Sequence, residues 1–288
     1  MLAGTINQIL QGVLLGGLYA MFAMGLSLSV GILRFVNIAH GDLIVAASFL
    51  LLSLTTQLGL PPLLAVAITL PIAFAVGYLL QLLLFQKVLG KNVLPIILVT
   101  FGLSIIIQNG LLGVYGADTR KVAGGAFETA TWALGSGVNI GVLPLAIFLT
   151  AVAMIWALDR LLYATSIGAR IRAVSDDVGT ADLIGLPSAR IYAIAMGIVG
   201  VTIAISAGFM SIWTNFDPTS GPSRLITAFE AVVLGGLGSL WGTLAGGIVL
   251  GVAQTLGAQI DAAWQVLAGH LVFLAVFFIR PQGLFPRA

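Results

Sequence analysis

The stretch LLAVAITLPIAFAVGYLLQLLLF, from Leu63 to Phe85, carries no charged residue. It is long enough to span a bilayer, since about 20 helical residues rising ~1.5 Å each match a hydrocarbon layer of ~30 Å. Similar runs recur along the whole chain. Lipid offers no water to backbone groups, so every crossing is a helix or part of a closed barrel. Barrel strands alternate apolar and polar residues over about ten positions, and these runs do not alternate. Helices remain. Composition agrees: 59% of the 288 residues are hydrophobic and 8% charged, with a mean hydropathy of +1.13, whereas a soluble domain is about 25% charged. The expected fold is an all-α polytopic membrane protein, one transmembrane domain over residues 1–288.

Spans are expected at roughly 6–30, 38–57, 62–85, 93–115, 141–163, 189–212, 225–257 and 262–280. The seventh is too long for one crossing and contains GGLGSLWG, so a break is expected at Gly235, Gly236, Gly238 and Gly242. Glycine lets membrane helices approach closely and lets them break beside a pathway. The count becomes eight or nine crossings, some discontinuous. The basic residues Lys87, Lys91, Arg160, Arg170, Arg172, Arg190, Arg280 and Arg287 set the orientation, placing their loops in the cytoplasm. Nine crossings with an external N-terminus fit this pattern; eight conflict with Lys87. Gly116–Ile140 and Asn215–Ser223 then lie outside. The N-terminal MLAGTINQIL lacks a charged n-region, so the first span reads as retained. With no cysteine there are no thiolate ligands or disulfides, and a net charge of +2 without a basic block does not suit nucleic acid.

Polar side chains inside a bilayer are costly and call for a reason. Asn37, His40, Gly41 and Asp42 fall in RFVNIAHGDL between two apolar runs. They read either as a polar element of a transport path at a helix break, with Gly31 and Gly41 relaxing the backbone, or as an interfacial turn in which Asp42 caps the next helix. Glu230 lies about one helical turn from the glycine break. It either lines a cavity or couples to protons, or it faces a neighbouring helix; a pair with Arg224, six residues away, is not expected along one helix. Gln108, Asn109, Gln254 and His270 read as polar ties between helices, with Gln108 also a candidate for the path. The most polar segment, Ser166–Tyr192, is expected to be a loop holding a short helix near Ala181–Ile184. Asp176 or Asp177 would cap that helix, Gly185 would sit at its C-terminal end and Pro187 would stop it. Flanking arginines make it either a docking knob or a solvated loop that sets topology.

No HExxH, Gly-x-Ser-x-Gly or Walker A motif occurs, and His40 and His270 are the only histidines. Neither a cofactor nor a metal site is expected, and catalysis is not. These residues point to a transporter or a channel.

The chain also resembles a known family. Asn7, Gly12, Gly16, Tyr19, Ala20, Gly25 and Leu26, the block GILRFVNIAHGDL, the later VVLGGLGSLWGTLAGG and the terminal RPQGLF are similar to the permease subunits of branched-chain amino-acid ABC importers, the LivH type more than the LivM type. Gly168, Arg172, Ala173, Asp177, Ala181, Leu183 and Gly185 match the family's coupling loop, about residues 164–188. Asp176, Gly179, Glu230 and Pro286 depart from its pattern, and Gly116–Asn139 matches least. The resemblance implies a multi-pass protein of a bacterial-type inner membrane. It implies a second permease, LivM-type, two cytoplasmic ATP-binding subunits that hydrolyse ATP, and an extracytoplasmic solute-binding protein. The cargo it implies is a branched-chain amino acid or a related amide or urea, moved by alternating access. The rival readings are a sugar-type ABC permease, a proton-coupled secondary transporter using Glu230, His40 or Asp42, and a channel or structural subunit.

Overall fold

The computed structural model describes residues 2–89, 93–133 and 139–285. Lys91, Pro286 and Arg287 lie outside the described residues. The chain is a bundle of long apolar helices: α1 (Leu2–Leu28), α2 (His40–Thr56), α3 (Pro62–Leu83), α4 (Val93–Tyr115), α6 (Val142–Ala164), α9 (Ser188–Trp213), α10 (Gly221–Gly235), α11 (Leu240–Ile260) and α12 (Trp264–Ile279). A short α5 (Ala126–Thr129) precedes two three-residue antiparallel strands, β1 (Thr131–Ala133) and β2 (Asn139–Gly141). Apart from that small ribbon the described elements are helical, as the all-α reading expects. Among the described residues, six helical segments are long and apolar enough to cross a membrane, and α2 and α12 are shorter apolar helices. The expected eight or nine crossings are therefore not reached by length and composition.

The second correction concerns Ser166–Tyr192. The segment is not a loop but two helices, α7 (Ser166–Asp176) and α8 (Val178–Leu183), followed by the start of α9. Side-chain caps explain why a polar sequence folds this way. Thr165 accepts a hydrogen bond from Gly168 N–H at 3.1 Å, and Asp177 accepts one from Thr180 N–H at 3.1 Å. Asp177, not Asp176, is the cap. Gly185, at φ 83, ends the turn as expected.

The core is built on close backbone contact. α1 runs against α11, and a Cβ on Gly16 would lie 2.5 Å from Ile248 Cα, one on Gly251 2.2 Å from Gly12 O. Small residues at such spacing let membrane helices touch. The predicted break is present. Gly236 (φ 105) and Gly238 (φ 79) carry the chain through conformations that L side chains disfavour, and Ser239 restarts the helix by accepting from Gly242 N–H at 3.1 Å. Gly235 and Gly242 serve packing instead, because each would drive a Cβ to 2.2 Å from the other's backbone. The terminal RPQGLF folds back here. Leu284 N–H donates to Leu234 O at 2.8 Å and Phe285 N–H to Gly235 O at 3.0 Å, occupying carbonyls that the end of α10 leaves free.

Candidate functional site

α1 continues into a π-helical turn, Ser29–Leu33, and the chain then reverses so that α2 begins deep inside the bundle. The polar block Asn37–Asp42 makes this turn. Asn37 Oδ1 accepts from Ala39 N–H at 3.1 Å, and Asn37 O accepts from His40 N–H at 3.1 Å. His40 Nε2 lies 2.9 Å from Phe22 O. A carbonyl only accepts, so Nε2 carries the proton. The ring occupies the notch left by Gly25, where a Cβ would be 2.8 Å from His40 Cε1. Asn37, His40 and Asp42 are each no more than 1% exposed. Asn37 Nδ2 and His40 Nδ1 have no hydrogen-bond partner among the described residues.

Asp42 does not cap α2, which has no side-chain cap. Its Oδ1 accepts from Gln108 Nε2 of α4 at 3.0 Å, and Gln108 also reaches Ser104 Oγ at 3.1 Å. The carboxylate also meets the first residue of α10, since a Cβ on Gly221 would fall 1.9 Å from Asp42 Oδ1. A Cβ on Gly41 would fall 2.0 Å from Gly221 O. Two helix N-termini, those of α2 and α10, thus meet inside the bundle with one carboxylate between them. Their positive dipole ends favour an anion at this place. The close approach explains Gly41 better than backbone relaxation, because among the described residues the positive-φ non-glycine in this block is Arg34, at φ 56.

Glu230 is not at that junction. It lies further along α10 and is 5% exposed; its Oε1 is bonded to His270 Nδ1 of α12. Its Oε2 has no partner among the described residues. Arg224 does not pair with it: the guanidinium donates to Asn215 O at 3.2 Å and stands 5.9 Å over the Phe22 ring. Beside this pair Tyr19 Oη donates to Gln254 Oε1 at 2.5 Å. Sequence reasoning missed the His270–Glu230 contact because nothing in sequence spacing relates α10 to α12. It also missed Gly221, whose role appears only when α10 is set against α2. Asn109 bonds its own helix, to Ile105 O at 2.8 Å.

The third group forms the end module. Gly168 packs where a Cβ would meet Leu161 O at 2.2 Å. Arg172 bonds Leu162 O and lies 4.8 Å over the Tyr163 ring. Ala181 is buried, Ala173 and Gly185 are exposed, and Leu183 and Ile184 are 88% and 70% exposed at the tip of α8. The Thr180 hydroxyl, then the Thr180 N–H, hold the Asp177 carboxyl below the usual aspartate range. The module is fastened to the interior: Ser175 Oγ donates to Ile32 O of the π-turn at 2.8 Å, and Tyr192 Oη to Val174 O at 3.1 Å.

Residues 8–279 match the family described as branched-chain amino acid transport system / permease component. The chain belongs to this family. It is a multi-pass membrane permease, a subunit of the ABC-importer kind. Among its relatives, BraD of Pseudomonas aeruginosa, a high-affinity branched-chain amino acid transport system permease protein, is 29% identical, with 98% of this chain and 96% of BraD covered. LivH of Escherichia coli, which bears the same description, is 27% identical over 98% of this chain and 96% of LivH. FrcC of Rhizobium meliloti, a fructose import permease protein, is 27% identical over 95% of this chain and 77% of FrcC. The permease thus holds three polar groups: a carboxylate at two helix N-termini, a buried Glu230 bonded to a part-exposed His270, and an end module tied to the π-turn.

Proposed function

We propose that this permease is a translocation subunit of an ATP-driven importer of branched-chain amino acids or related small polar solutes such as amides or urea. It works beside a second, LivM-type permease, two cytoplasmic ATP-binding subunits and an extracytoplasmic binding protein, in a bacterial-type inner membrane. The α7–α8 module faces the cytoplasm and docks on an ATP-binding subunit through Leu183 and Ile184. One observation carries the reading: the Ser175–Ile32 hydrogen bond joins the module to the π-turn, and the π-turn leads straight into Asn37–Asp42. Displacement of α8 by its partner therefore pulls on the segment that holds the two helix N-termini together. Exposed apolar side chains on a capped helix outside the spans are what a partner groove takes. Asn37, His40, Gly41, Asp42, Gln108 and Glu230 serve the path, with polar solute groups meeting broken-helix ends. Residue burial within one chain fits a path opened by alternating access and shared with the second permease.

The test is uptake of labelled leucine into vesicles holding this chain with its genomic neighbours, with and without internal ATP. ATP-dependent uptake that needs the binding protein supports the reading. Uptake driven by a proton gradient without ATP sinks it. The similarity to a fructose permease favours a sugar as second cargo, and competition by unlabelled fructose against leucine decides between them.

A further inference from the structure

A cavity of about 790 Å³ opens where α7 and α8 meet the π-turn and the start of α4, within the ~300–1,000 Å³ typical of small-ligand sites. One wall is aliphatic, with Val36, Val88 and Ile96. The polar lining includes Arg34, Asp176 and Tyr192. Arg34 adopts a left-handed backbone conformation that non-glycine residues avoid. Its guanidinium is in no ion pair among the described residues, and neither is the Asp176 carboxylate. Asp177, also in the lining, is occupied in capping α8.

These groups select a ligand class. A phosphate or other anion meets Arg34 but is repelled by two carboxylates. A simple amine meets the carboxylates but is repelled by Arg34. A zwitterion satisfies both ends, and an aliphatic side chain covers the third wall. We propose that this cavity binds a free aliphatic amino acid, its carboxylate on Arg34 and its ammonium on Asp176, with the side chain against Val36, Val88 and Ile96. The site rests on the reading of this end as the cytoplasmic face of an amino-acid importer, and deepens it. The ligand is then the delivered product.

The experiment is equilibrium binding of labelled leucine to the purified full-length chain in lipid nanodiscs, without binding protein. Saturable binding is expected, displaced by isoleucine but not by 4-methylpentanoate, which lacks the amine, or 3-methylbutylamine, which lacks the carboxylate. Arg34→Gln and Asp176→Asn are each expected to weaken it at least about tenfold, the scale of one charge-assisted hydrogen bond. Arg34→Lys is expected to restore part, since it returns the charge without the planar fork. Asp176→Asn stands as an independent test should Arg34→Gln fail to fold. Absence of saturable leucine binding in the wild type, or unchanged affinity in both variants, overturns the site. ATP-dependent leucine uptake, measured separately, keeps the two readings apart: uptake with variant-insensitive binding removes only the site. Variant-sensitive binding without uptake removes only the import reading.

Discussion

α1 and α4 reach the same peak hydropathy and are opposite in position. The segment Gly4–Leu33, α1 with its π-turn, and the α4 segment Leu94–Tyr115 each contain an 18-residue stretch of mean hydropathy 1.9, yet 83% of that stretch is buried in the first and 17% in the second. Both hold glycines. Those of α1 at Gly12 and Gly16 sit against backbone of α11, while a Cβ on Gly102, Gly110 or Gly113 of α4 would meet nothing within 4 Å. Hydropathy reports that a segment prefers lipid to water, and core and rim of a membrane bundle share that preference. What separates α1 from α4 is whether small residues recur on one face and find a matching face elsewhere. α11 supplies it at Gly247 and Gly251.

The sharpest way to break this comparison is to add volume to both helices. Gly16→Leu is expected to abolish a monodisperse folded chain, because the side chain must displace the backbone of Ile248. Even Gly16→Ala is expected to cost about 1–3 kcal/mol. Gly113→Leu is expected to change stability by no more than ~0.5 kcal/mol. Thermal unfolding of the detergent-solubilised chain, followed by size exclusion, reads all three. Equal losses at the two helices would show that glycine contact is not what distinguishes core from rim.

α12 and α4 each carry a polar tie to the interior. α12 has Gly269 as its buried residue, and its His270 bonds Glu230; α4 reaches inward through Gln108 to Asp42. His270→Leu leaves Glu230 buried with neither oxygen paired and is expected to cost about 1–3 kcal/mol. The double variant Glu230→Leu/His270→Leu is expected to recover most of it, since removing both partners spares the buried group its loss. Additive losses in the cycle would show that the pair does not act as a unit. Gln108→Leu is a smaller perturbation, about 0.6 kcal/mol and at most ~1.7, in the range of interhelical hydrogen bonds in bilayers. It is expected to lower the unfolding temperature slightly.

The same contrast explains what could be read without coordinates. Long apolar runs, the break at Gly236–Gly238 and the α8 turn from Asp177 to Gly185 are local: period, glycine and cap residues lie within a few positions of what they cause. The partners of Asp42, Glu230 and Gln254 are not local. Each lies on another helix, and apolar neighbours carry no signal of which helix that is. Asp42 therefore looked like a cap for its own helix, and proves to sit against the start of α10 and the side chain of Gln108. The polar segment after α6 looked like a loop because its helices are short and capped, a property that average polarity hides. RPQGLF was legible as a motif but not as a cover for the end of α10, which needs the chain's last turn beside residues 234–235.

Where the membrane no longer enforces helix, caps must, and α8 is the smallest test of that rule. Asp177→Ala removes the acceptor for Thr180 N–H and is expected to speed hydrogen exchange of the α8 amides while leaving those of α1 unchanged. Asp177→Asn is expected to restore most of the protection, since asparagine caps comparably. The carboxylate also gives the cap a pH dependence of known sign. Hydrogen bonds to its charged form hold its pKa below the ordinary value near 3.9. The folded state thus binds the proton less readily than the unfolded one. The contribution is fully present above about pH 4 and disappears as pH falls through the lowered folded value. Exchange in α8 is therefore expected to show no cap-dependent change between pH 5 and 8, after correction for intrinsic rates. Asp177→Asn should remove the acid-side loss. A cap-dependent step near neutrality in the wild type would mean that another group, not Asp177, governs the α8 turn.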